Sequence, residues 1–136
     1  MSENRIVDLL DVTYDYAAQA GVLLLREAEG AGRTLAIPVA LGDAQQIWRA
    51  ARGDVRSRPG THELTVGILA LTGVQLVSVV VTKREEGVYF AEIHLMSSNG
   101  PQLLDARPSD AVTLALRHTP RTPLLVADTL LAEAGL

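Results

Sequence analysis

Residues 88–96, VYFAEIHLM, alternate in chemical character along their whole length. Tyr89, Ala91, Ile93 and Leu95 fall on one side, and Phe90, Glu92 and His94 on the other. A period of two marks a strand with one face on a core and the other toward solvent. Turn formers bracket it: REEG at 84–87 and SSNG at 97–100. A valine-rich run, LVSVVVT at 76–82, precedes it, and Leu103–Ala106 follows. Together these segments predict a three-stranded antiparallel meander.

The rest of the chain is read around that meander. Residues 6–16 and Val22–Glu27 predict two strands, and Leu35–Leu41 a third in which Pro38, lacking an N–H, favours a sheet edge. A helix is expected from Asp43 to about Ala51. GDVRSRPG at 53–60 is a loop, after which Thr61 is placed to cap a second helix. Leu64, Ile68 and Leu71 lie at i, i+4 and i+7 on one face of that helix, with Gly67 beside them and Gly73 ending it. Pro108 starts a third helix at its first position, reaching about His118. Leu124–Ala127 is a last short strand, and Asp128 opens a terminal helix. Hairpins outnumber strand–helix alternations. The expected class is therefore α+β: a mainly antiparallel sheet of six to seven strands, with three to four helices, in one domain over 1–136.

Composition narrows the chemistry. A chain of 136 residues, 48% hydrophobic and 21% charged, supports one core and is not disordered. Its apolar runs fall far short of the ~20 residues that span a bilayer. The opening MSENRIVDLLD carries early acids and does not read as a secretory leader. A cytoplasmic protein without membrane contact is expected. There is no cysteine, which removes disulfides, thiolate metal sites and a cysteine nucleophile. His62, His94 and His118 are widely spaced and form no metal-binding motif. A hard-cation site built from Asp and Glu stays open.

Net charge is −4, so nucleic-acid contact has to rest on a local basic patch. Arg49, Arg52, Arg56 and Arg58 against Asp54 supply one. The plain alternative is a solvated helix end and loop.

Reactive side chains gather at three helix starts: Leu41–Gln45, Thr61–Leu64 and Asp105–Ala111. Helix N-termini present unpaired N–H groups and the positive end of a dipole. In a functional reading, Asp105, Asp110 and Glu63 hold Mg²⁺ or Mn²⁺, with Glu63 also available as a base. Such ions activate water and cover phosphoryl charge. Arg107 would grip a phosphate through a bidentate hydrogen bond, and His62 would carry a proton. In the structural reading, Thr61 caps a helix and first-turn acids complement a dipole. Asp105 and Arg107 pair locally there to fix a corner.

These same residues carry a resemblance. DARPSDA at Asp105–Ala111, continued by VTLALR, resembles the hallmark of the bifunctional nuclease domain family. THEL at Thr61–Leu64, VLLLRE at Val22–Glu27 and Leu41-Gly42 are similar to its other conserved stretches, and the likeness spans about residues 6–135. Gln45 and Gln46 stand where that family usually has Glu-Ala. The resemblance implies a compact α+β domain forming a homo-oligomer, most simply a dimer. It also implies a DNase or RNase activity. The catalytic set would be His62, Glu63, Asp105 and Asp110, and the cation ligands Glu63, Asp105 and Asp110. Nucleic acid would be contacted by Arg49, Arg52, Arg56, Arg58 and Arg107. The rival expectation is a non-catalytic regulatory or interaction module with DARPSDA as a structural corner.

Overall fold

The computed structural model describes residues 3–55 and 57–136. Seven strands form one sheet among them: β1 (Asn4–Asp15), β2 (Ala20–Glu27), β3 (Thr34–Ala40), β4 (Gln75–Glu85), β5 (Val88–Ser97), β6 (Gly100–Ala106) and β7 (Leu124–Ala127). The spatial order is β3-β2-β1-β7-β4-β5-β6. Two antiparallel meanders, β1–β3 and β4–β6, are thus joined by the short β7, which pairs antiparallel with β1 and parallel with β4. The mainly antiparallel α+β class expected from hairpin frequency is the class observed.

Local chemistry explains the edges and turns. β3 is an edge strand and Pro38 sits on it, where a missing N–H costs nothing in the ladder. The β4–β5 hairpin closes through Glu86 and Gly87, at φ 51° and 79°, the two left-handed residues of a tight hairpin turn.

Four helices lie on one side of the sheet: α1 (Leu41–Arg52), α2 (Thr61–Leu71), α3 (Pro108–Arg117) and α4 (Asp128–Ala134). The core between the layers holds Leu23, Leu25, Leu35, Ile37, Ile47, Val79, Val112, Val126, Leu130 and Leu131, all below 3% exposed. Ala91 and Ile93 of β5 face this core, and Glu92 and His94 face away, as the alternation requires. α1 approaches β2 closely at Gly21, where an added Cβ would stand 2.5 Å from Ala44 Cβ and 2.8 Å from the Thr13 carbonyl oxygen. The sheet curls until the Tyr89 hydroxyl donates to the Ala36 carbonyl, 3.4 Å away, although five strand positions separate β3 from β5.

Two expected caps differ. Gly60, not Thr61, is the N-cap of α2, and the Glu63 carboxylate reaches back to accept the Gly60 N–H. Glycine leaves room there; a Cβ would meet Glu63 Oε2 at 2.9 Å. Asp128 lies in the first turn of α4 and accepts from Arg33 Nη2 at 2.6 Å rather than capping the helix.

One carboxylate is buried on the core side of the sheet. Glu27, at the end of β2, accepts from Arg33 Nε (2.7 Å), the Arg33 N–H (2.9 Å) and Arg5 Nε (3.2 Å). Hydrogen bonds from Arg33 hold its carboxyl at about 2, well below the usual 4.5. A depressed folded pKa gives stability that is present above the unfolded value and lost as pH falls toward the folded one. Thermal unfolding should therefore show a falling Tm between pH 4.5 and about 2. Glu27→Gln should lower the Tm at neutral pH and flatten that acid limb. An unchanged limb in the variant would remove Glu27 as its cause.

Candidate functional site

α3 organises the polar chemistry. Eight of its ten residues are buried, so its polar groups emerge at its two ends. At the start, Arg107 precedes Pro108 in extended backbone and Asp110 lies in the first turn. Arg107 bridges two carboxylates. Its Nε donates to Asp110 Oδ2 at 3.0 Å, and its Nη1 and Nη2 donate to Asp43 at 3.0 and 3.4 Å. Asp43 lies in the first turn of α1, so this guanidinium ties two helix starts together.

His62, in the first turn of α2, completes the chain. Its Nε2 lies 3.0 Å from Asp110 Oδ1. The row Asp43–Arg107–Asp110–His62 draws on three helices whose residues are far apart in sequence. Burial pushes the Asp110 carboxyl up, but hydrogen bonds from Arg107 and His62 outweigh it and hold the group below its usual value. The Arg107 guanidinium is raised by its bond to Asp110 and by the charges of Asp110 and Asp43. Beside this row a cleft of about 310 Å³ opens among Val39, Asp43, Val88, Tyr89, Arg107 and Ser109.

Glu63 is turned the other way. Its Oε2 accepts the Gly60 N–H, and its Oε1 lies 2.9 Å from Nε of Arg117, the last residue of α3. Arg117 is 8% exposed at its side chain and also donates to the Asp54 carbonyl. This pair clamps the loop after α1 and the start of α2 onto the end of α3.

The structure thus brings together His62, Asp110 and Arg107, adds Asp43, and leaves Glu63 and Asp105 outside the row. Asp105 is exposed on β6 opposite Glu92. Cross-strand partners share a face, so Asp105 lies on the side of the sheet away from the helices, near the Glu92–His94 contact of 3.3 Å. Arg107 pairs with Asp110 and Asp43 rather than with Asp105. All six carboxylate oxygens of Asp43, Asp110 and Glu63 have a neighbour. Among the described residues no group of three or more His, Asp or Glu side chains is arranged to hold a metal ion.

The basic cluster sits at the far end of α1. Arg49 and Arg52 occupy its last turn, with Arg52 stacked 4.5 Å over the Trp48 ring, and Arg58 is exposed in the loop. Arg56 lies outside the described residues. Arg121, which sequence spacing did not point to, donates to the Ala51 carbonyl at 2.8 Å and joins this end. Gln45 donates to the Tyr16 hydroxyl at 3.2 Å. Asp43 lay in one of the three helix starts but had no role assigned to it, and Arg117 was missed, because only the packing of α1 and α2 against α3 gives them partners.

The fold and this row define a single-sheet α+β domain whose polar chemistry is concentrated where helices begin. The model of the bifunctional nuclease domain matches residues 23–136, and the chain belongs to that family. It is also similar to two curated relatives, the uncharacterized proteins MT1877 and Rv1829 of Mycobacterium tuberculosis strains CDC 1551 / Oshkosh and ATCC 25618 / H37Rv. Each is 35% identical over 136 residues, covering 100% of this chain and 77% of the relative. Among the described residues no helix is long and apolar enough to cross a membrane.

The clamp at the end of α3 yields a stability test. Arg117→Met leaves the half-buried Glu63 carboxylate without its cation, and should cost about 1–3 kcal/mol in urea unfolding. Pairing it with Glu63→Gln should recover part of that loss. Strictly additive losses would show that the two side chains do not interact.

Proposed function

We propose that the protein hydrolyses phosphodiester bonds in DNA or RNA at the Asp43–Arg107–Asp110–His62 row. The observation that carries this reading is the His62–Asp110 contact at 3.0 Å, next to an arginine whose side chain is 63% exposed. With Nε2 donated to Asp110, the remaining ring nitrogen of His62 is the basic one. It would take a proton from the attacking water as the new P–O bond forms. The ester P–O bond breaks, and the leaving oxygen takes a proton from solvent. Arg107 can turn from its carboxylates to the phosphate, which is a bidentate match for a guanidinium. Asp110 then loses a donor that had held its carboxyl low, and becomes more basic as substrate arrives.

Mg²⁺ or Mn²⁺ fits this site only in the manner of a cation brought in with phosphate and held by one or two carboxylates. Asp110 and Asp43 would be those carboxylates, and the ion would cover phosphoryl charge. We place the activity in the cytoplasm, in a homodimer.

A second reading is favoured by the six engaged carboxylate oxygens: a non-catalytic interaction module in which residues 105–111 form a structural corner. The two readings separate on one variant. Under the nuclease reading, Asp110→Asn lowers Mn²⁺- or Mg²⁺-dependent cleavage about 100-fold or more while the protein stays folded. Under the corner reading it lowers the Tm, and wild type cuts nothing with any metal. Asp105→Asn reports on the outer face. If it alone abolished cleavage, the site would lie with Glu92 and His94 instead.

The arginines at the end of α1 would track the backbone. If Arg49, Arg52, Arg56 and Arg58 each contact a phosphate, log affinity for duplex DNA falls with log salt at a slope of about −3 to −4. Replacing Arg52 and Arg58 by Ser should reduce that slope by about 2. A slope near zero in wild type would remove this surface from the proposal.

A further inference from the structure

α2 is apolar nearly all round. After Glu63 its sequence is LTVGILAL, without a charge. A helix of this kind is expected to be buried on both faces, yet none of its residues is buried. Val66 and Leu69 turn inward and pack against the core. On the opposite face Leu64, Ile68 and Leu71 are 56%, 52% and 90% exposed.

Gly67 lies in the same stripe. Glycine in a helix interior is less stable than alanine, and nothing within the chain asks for it. Its φ is not positive, and a Cβ built there meets no atom of the described residues within 4 Å. A glycine without an internal reason, at the centre of an exposed apolar stripe, is the signature of another backbone passing close by.

The spacing says what passes. Leu64, Gly67, Ile68 and Leu71 are symmetric about the point between Gly67 and Ile68. An antiparallel copy of α2 crossing there sets Leu64 against the partner's Leu71 and Ile68 over the partner's Gly67. This is the self-complementary pattern of a two-fold interface. The stripe carries no charge, so two chains of net charge −4 can meet on it without opposing like charges at the contact. Total exposure agrees. The chain exposes 7967 Å², where a compact monomer of its mass exposes about 6,900 Å². The excess, about 1,100 Å² over the whole chain, is enough to supply the about 800 Å² that one partner contributes to a standard interface.

We infer that the occupant of this face is a second copy of the chain, and that two α2 helices cross at Gly67 about a two-fold axis. The inference rests on the homodimer proposed above and names its surface. It does not depend on the phosphodiester chemistry.

Sedimentation equilibrium of the full chain tests it. Wild type should have twice the 14.5 kDa chain mass at micromolar concentration. Ile68→Glu, and separately Gly67→Leu, should raise the dimer dissociation constant at least tenfold with the far-UV spectrum unchanged. Gly67→Leu faces open space within one chain, so it remains decisive should Ile68→Glu fail to fold. A dimer that persists at wild-type strength in Gly67→Leu would overturn this surface and leave the dimer standing. A monomeric wild type would overturn both.

Discussion

The burial of α3 is the constraint from which the rest of the arrangement follows. Ala111, Val112, Leu114, Ala115 and Leu116 are all within 9% of full burial, and even Ser109 and Thr113 are enclosed. The Thr113 hydroxyl answers its own burial by donating to the Ser109 carbonyl at 2.7 Å. A helix so enclosed cannot place charges along its length without a large desolvation cost. They appear only at its ends, Arg107 and Asp110 at one and Arg117 at the other. Each end then becomes an anchor for a neighbour. Asp43 fixes the start of α1, the Asp54 carbonyl fixes its exit, and His62 and Glu63 straddle α3 from α2. The candidate site is one of these anchors, which is why a catalytic and a structural reading address the same atoms.

Much of this was legible in the chain, and what was not has a common cause. Alternation from Val88 to Met96 set the meander and the faces of β5, Pro38 marked an edge, and Pro108 marked a helix start. Each is a local rule of backbone geometry. The position of β7 was not legible, because four residues carry no sign of which strands they lie between. The partners of Arg107 were misjudged for a related reason. Asp105 is two residues away, but the turn from strand to helix sends it to the opposite face. Asp43, 64 residues distant, arrives only because α1 packs beside α3. The i, i+4, i+7 stripe of α2 was read correctly as one face of a helix. That spacing could not tell which way the face points, and it points outward.

Net charge proved a poor guide to surface chemistry, since the fold sorts its cations. Arg5, Arg33, Lys83, Arg84, Arg107 and Arg117 all spend their charge on internal or local carboxylates. Among the described residues the arginines outside ion pairs are Arg26, Arg49, Arg52, Arg58 and Arg121. All but Arg26 sit in the last turn of α1, follow it in the loop, or donate to its last carbonyls. Asp43 lies six residues of helix, about 9 Å, from Arg49 and nine residues, about 13.5 Å, from Arg52. At physiological salt this is between one and two Debye lengths. A polyanion approaching the end of α1 therefore feels the arginines more strongly than the acidic row at the other end. The overall charge of −4 then acts chiefly to keep non-specific contacts weak elsewhere, and a locally basic surface on an acidic domain involves no contradiction.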